Sequence, residues 1–153
     1  VDTIENAKKA YDKVTKISKR VIIEKYISGR EITVGILNGK ALPIVEIIPN
    51  NDFYDYKAKY TKGAKTKHVM PARLTKKNYN EVLRISKLAH NALGCRGVTR
   101  SDFKFYNNKF YLLELNTQPG MTNLSLVPEI ANYCGINFSN LVEQILLDAS
   151  INR

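Results

Sequence analysis

Residues 97–117 read GVTRSDFKFYNNKFYLLELNT. Two runs rich in aromatic and aliphatic residues flank Asn107-Asn108, and asparagine tolerates the left-handed backbone that a tight hairpin turn demands. The pattern predicts an antiparallel hairpin of strands 97–106 and 109–117, with Asp102 opposite Leu113 or Glu114. Side chains alternate faces along a strand, so Arg100 and Asp102 share one face, as do Glu114 and Asn116. Tyr111, Leu112, Leu113 and Leu115 read as sheet interior, interrupted by Glu114 and Asn116 just before a Thr-Gln-Pro-Gly turn. Two carboxylates and an amide oxygen, without His or Cys, make a hard-oxygen set suited to Mg²⁺ or Mn²⁺ shared with phosphates and water. The same residues also suit an Arg100–Asp102 or Arg100–Glu114 ion pair on a solvated sheet face, and spacing alone leaves both readings open.

Outward from the hairpin, the chain supplies the rest of a sheet. REITVGIL (30–37) alternates Ile32, Val34 and Ile36, Asn38-Gly39 is a strong hairpin signal, and KALPIVEII (40–48) is the returning strand. Pro43 within it predicts a sheet edge or a bulge. VIIEKYI (21–27) reads as a further apolar strand. A helix over 4–20 follows from Ile4, Ala7, Tyr11, Val14 and Ile17 at helical spacing. Another starts after Thr75 as N-cap and stops at Gly94. Helices at about 125–134 and 139–149 are divided by Gly135, the second starting at Ser139. Periodicity vanishes from Pro49 to Pro71, in a stretch rich in Lys, Tyr, Asp and Asn. The order is that of an α+β fold, an antiparallel β-sheet flanked by helices, without repeats or a parallel βαβ unit.

Composition narrows the class. The 153 residues, 44% hydrophobic and 25% charged, suit one globular unit or a large piece of a longer enzyme. No apolar run is long enough to span a bilayer and no signal-peptide pattern opens the chain, so a cytoplasmic protein with no membrane partner is expected. Cys95 and Cys134 are spaced for neither a metal site nor a disulfide framework. The net charge is +10, yet most lysines fall in the first 67 residues and from Asn116 onward only Arg153 is basic. A field concentrated in one half suits a polyphosphate such as ATP as well as a nucleic acid.

GVTRSDF, YLLELNTQPGMT and SLVPEIANYCGINFSNLVEQIL resemble the carboxy-terminal part of the D-alanine–D-alanine ligase family, ATP-grasp enzymes of peptidoglycan synthesis. EKYISGREITVGIL, ALPIVEI and FYDYKAKY carry the same resemblance, which covers almost all of residues 20–150 in the family's order. It implies a partial ATP-grasp fold, with 1–20 as a remaining helix of the central subdomain, 21–153 as the C-terminal catalytic subdomain, and a mobile loop over about 50–67. It implies a ligase that uses ATP and two Mg²⁺ (or Mn²⁺) ions to join two D-alanines through an acyl phosphate. Small-molecule substrates, no nucleic acid, and a homodimer of the full-length enzyme go with it.

The resemblance also implies roles. Asp102, Glu114 and Asn116 match the family's ligands for the two ions. Arg100 and the Gly120 N–H match donors to a tetrahedral intermediate, an oxyanion-hole arrangement. Ser125 and the Leu126 amide match the site for the second D-alanine's carboxylate, and Ser125 is also expected to cap a helix whose N-terminal amides favour an anion. Glu24 and the backbone of Lys25, Tyr26 and Ile27 match the adenine segment, and Glu31 the ribose-binding residue. Lys59 and Tyr60 lie in the mobile loop, the lysine on phosphate and the tyrosine over the substrate. Tyrosine rather than histidine at 60 points to D-alanine over D-lactate. His90 and Met121 read as packing residues, the cysteines as core or near-core, and His68 as undecided.

The family's central domain carries two lysines and a Ser/Gly-rich phosphate loop, and no Gly-rich loop occurs in this sequence. The full enzyme is expected to be about twice as long, and this chain by itself to bind nucleotide weakly if at all and not to turn over. Another ATP-grasp carboxylate–amine ligase is the nearest rival but lacks FYDYKAKY and PGMT…SLVP. A non-catalytic module binding RNA or another polyanion is the rival from a different class.

Overall fold

Strand β1 (Arg30–Leu37) is the axis of the sheet. In the computed structural model, which describes residues 1–49 and 66–151, it pairs antiparallel with β3 (Val45–Ile48) on one side and with β5 (Val98–Tyr106) on the other. β4 (Lys67–Val69) and β6 (Lys109–Asn116) form the edges, giving the order β4-β3-β1-β5-β6, and the short β2 (Lys40–Ala41) also pairs with β1. Both hairpins turn where expected, with Asn38, Gly39, Asn107 and Asn108 all at positive φ, the backbone that matches the twist of the flanking strands. Pro43 does break the returning strand. Ile36 faces Ala41 but Thr33 faces Val45, so one extra residue is accommodated across the gap.

Residues Ile32–Leu37 are buried without interruption, because helices cover both faces of β1. On one face, α2 (Lys76–Ala92) sets Val82 against Ile32, Val34, Ile44 and Phe103. On the other, α3 (Leu126–Tyr133) and α4 (Phe138–Asp148) bring Val127, Ile130 and Leu141 to Leu37, Val45 and Ile47. Each such aliphatic side chain removed from water contributes about 1.5–3 kcal/mol. Thr75 caps α2 by accepting from the Asn78 N–H at 3.2 Å, and Gly94 ends it at φ +60. Asn137, not Ser139, starts α4, accepting from the Asn140 N–H at 2.8 Å.

Several expectations are corrected. Residues 21–27 form no strand: β3 and β5 take both sides of β1, the strand that follows them in the chain, and Ile22 and Ile23 are both 84% exposed. The first helix, α1 (Ile4–Thr15), stops short of residue 20 and buries no residue. β6 is an edge strand, and its Leu112 and Leu113 are exposed rather than interior. The aperiodic stretch contains a strand, since Lys67 belongs to β4; residues 50–65 of the expected loop, Lys59 and Tyr60 among them, lie outside the described residues. Both cysteines are free; Cys95 is half-buried but Cys134 is exposed, because α3 turns its end to solvent. Met121 packs against the α3 core and His90 is buried, as packing residues should be.

Candidate active site

The hairpin reaches the site through a one-residue bulge. Phe103 pairs with Leu112, but Asp102 pairs with Glu114 and Arg100 with Asn116, which leaves Leu113 as the extra residue. A bulge lets two successive side chains lean to one side of a sheet, and Leu113 and Glu114 both line one cleft of about 620 Å³. Its floor is the part of the α3-side face that α3 does not cover.

On that floor Arg100 grips Asp102 with two donors, Nε to Oδ1 at 2.9 Å and Nη2 to Oδ2 at 2.7 Å. Its Nη2 stands 3.7 Å from Glu114 Oε1. Thr33, directly across from Asp102 on β1, donates its hydroxyl to Oδ1. The ion pair that spacing left open is therefore present, though not on a solvated face: the side chains of Arg100 and Asp102 are 12% and 19% exposed. Glu114 is 57% exposed, its carboxylate available from the cleft. Asn116 borders the cluster across from Arg100, but its Oδ1 accepts from the Gln118 N–H at 3.0 Å and it does not line the cleft.

The remaining candidates surround this cluster. Gly120, Ser125 and Leu126 line the cleft at the start of α3. A Cβ on Gly120 would lie 2.9 Å from Ser125 Oγ, so glycine is what allows this turn to close on the serine. Ser125 occupies the N-cap position without capping through its side chain. Its Oγ instead accepts from the Thr122 N–H at 3.0 Å and lies 2.9 Å from Thr122 Oγ1. Glu24, Lys25, Tyr26 and Ile27 line the far side, together with Glu31. Thus eleven of the sequence-derived candidates, all but Asn116, Lys59 and Tyr60, meet in one cleft.

Three participants escaped the sequence. Thr33 and Leu113 depend on register and bulge, which spacing did not resolve. Lys104 continues the alternation Arg100, Asp102, Lys104 on one strand face, a signal that was available, and bonds Glu31 Oε1 at 2.7 Å. His68, on β4, pairs with Glu129 of α3 at 2.6 Å, tying the sheet edge to that helix.

The donor set fits a hard divalent cation by chemistry: Asp102, Glu114 and Asn116 offer oxygen alone. Among the described residues no three His, Cys, Asp or Glu side chains cluster as metal ligands, so such an ion would need the Asn116 amide and oxygens from its substrate. No described helix is long and apolar enough to cross a membrane.

Residues 1–147 match the family profile described as D-ala D-ala ligase C-terminus. The chain is 58% identical over 141 residues to a D-alanine--D-alanine ligase of Pelagibacter ubique, covering 92% of this chain and 46% of that protein. To the ligase of Afipia carboxidovorans it is 49% identical over 140 residues, covering 88% and 45%. Among solved structures, D-alanine--D-alanine ligase from Bacillus anthracis complexed with ATP superimposes with a TM-score of 0.83 at 34% identity, over 97% of this chain and 48% of that one. The Coxiella burnetii D-alanine-D-alanine ligase gives 0.78 at 29% identity, over 96% and 39%. The chain spans about half the length of the relatives it matches.

Proposed function

The chain belongs to the D-alanine–D-alanine ligase family, corresponding to its C-terminal ATP-grasp portion, and from that premise we propose that the protein it forms part of joins two D-alanines at the expense of ATP. The observation that carries this reading is the cross-strand pairing of Asp102 with Glu114 and Arg100 with Asn116 on the floor of a cleft. Oxygen donors and a guanidinium are thereby concentrated where a nucleotide's phosphates would lie.

Asp102, Glu114 and Asn116 would hold two Mg²⁺ or Mn²⁺ ions. When bound, such ions neutralise phosphate charge as a phosphoryl group moves to a carboxylate. Glu24 and the backbone of Lys25–Ile27 take the adenine, and Glu31 the ribose. The γ-phosphoryl group passes to the carboxylate of one D-alanine. The amine of the second attacks the resulting acyl phosphate, and phosphate leaves as the amide forms. Arg100 and the Gly120 N–H act as fixed donors to the oxyanion of the tetrahedral intermediate. Ser125 Oγ accepts from Thr122 and keeps its own proton for the second substrate's carboxylate, beside the Leu126 N–H at the positive end of α3. Lys59 on phosphate and Tyr60 over the substrate complete the site and exclude water from the acyl phosphate.

Residues 1–20 belong, in this reading, to the central subdomain and 21–153 to the C-terminal one. The apolar stripe of α1, exposed here at Ile4, Tyr11 and Val14, is then covered by parts of the protein outside this chain. The 153 residues alone are not expected to turn over. The test is phosphate release from Mg-ATP by the longest chain containing this sequence. Release should require D-alanine, be poorer with D-lactate, and be lost in Glu114→Gln. Release independent of D-alanine, or undiminished in that variant, would overturn the proposal and favour a polyanion-binding scaffold.

A further inference from the structure

Glu31 and Lys104 face each other directly across β1 and β5, and both line the cleft. Lys104 Nζ lies 2.7 Å from Glu31 Oε1, with the side chains 17% and 19% exposed. A pair more than four-fifths shielded from water is better held in one geometry than surface ion pairs whose long side chains wander. Lys104 also stands two residues from Asp102 on the same strand face, on the floor between the carboxylate cluster and the 24–27 segment.

We infer that Lys104 is a positioning residue for the nucleotide's ribose, acting through Glu31. The inference rests on the ligase reading of this cleft. A carboxylate has two oxygens; with Oε1 fixed by the ammonium, Oε2 is left to accept from a ribose hydroxyl. The ammonium also cancels a negative charge that would otherwise sit in a low-dielectric cleft beside a polyphosphate. Without Lys104, Glu31 is a half-buried, uncompensated carboxylate that repels the nucleotide and can swing out of line with the diol.

The test uses the full-length ligase containing this sequence, comparing Lys104→Met and Glu31→Gln with wild type on ATP and on 2′,3′-dideoxy-ATP. Lys104→Met should raise the KM for ATP by about tenfold, the scale of a lost charged hydrogen bond. kcat and the KM for D-alanine should stay within about twofold. With the dideoxy nucleotide, which has no hydroxyl for Glu31 to hold, the penalty should shrink to the charge contribution alone. Adding Glu31→Gln, which removes the uncompensated charge, should abolish what remains. An equal penalty on both nucleotides that persists in the double variant would mean that the pair merely braces β1 against β5 and would overturn the inference, as would an unchanged KM for ATP. Wild-type enzyme that releases no phosphate in response to D-alanine would instead remove the ligase reading, and the inference with it.

Discussion

Arg100, Asp102 and Glu114 carry three charges in one cluster, but they are not equally bound into the fold. Asp102 receives both arms of Arg100 and the Thr33 hydroxyl, whereas Glu114 is more than half exposed and meets Arg100 at the longer distance of 3.7 Å. Asp102→Asn should therefore lower stability to urea by about 2 kcal/mol, because a half-buried guanidinium loses its charged acceptor. Glu114→Gln should stay within about 0.5 kcal/mol of wild type, while in the longest chain containing this sequence it should abolish the proposed D-alanine-dependent phosphate release. Equal losses of stability in the two variants would contradict this division between a structural and a purely functional carboxylate. The four polar residues of the cluster were legible because strand alternation is a strict period of two. Thr33 and Leu113 were not: a one-residue bulge is invisible to periodicity, and a threonine inside an apolar strand gives no sign of which carboxylate it will meet.

At the level of elements, the hairpins were the most legible because their turns are written in local chemistry, Asn38-Gly39 and Asn107-Asn108. Residues 21–27 were misread because an apolar run describes a strand's side chains but not whether a neighbour has a free edge. The contact between α2 and β5 hides a further polar element. His90, 3% exposed, has Nδ1 2.8 Å from Thr99 Oγ1, and burial pushes its pKa below the ordinary histidine value. The folded state then takes up a proton less readily than the unfolded chain. Its contribution to stability is complete above the unfolded value of about 6.5, falls as pH drops below it, and levels off below the folded value. Melting temperatures compared at pH 7.5 and 5.5 should show a larger acid loss in wild type than in His90→Gln, whose amide can still bond Thr99 without titrating. An identical acid loss in both would show that His90 takes its proton inside the fold.

The whole molecule divides unequally. The sheet and its three packed helices share two cores that meet at β1, while α1 buries no residue. Its ends are well made: Thr3 accepts from the Asn6 N–H at 3.1 Å, and Lys9 pairs with Glu5 at 2.7 Å. Caps and exposed i,i+4 pairs contribute only about 1 kcal/mol and a few tenths respectively. An isolated helix of 12 residues is marginal in water, because nucleation is costly and tertiary packing normally supplies the balance. The sequence announced the apolar stripe of α1 but could not say what covers it, since amphipathicity specifies a buried face and not its partner. Hydrogen exchange of the 153-residue protein should therefore separate two classes of amide. Those of α1 should exchange within about tenfold of an unfolded peptide, whereas those of Val34 and Phe103, at the centre of the sheet, should be slowed by at least ~1000-fold, or about 4 kcal/mol of opening energy. In a longer chain that supplies the missing contact, α1 should join the slow class while Val34 and Phe103 change little. Protection of α1 equal to that of β1 in the 153-residue protein, at every protein concentration, would mean that the helix packs within this chain and that its apolar face needs no contact from a longer one.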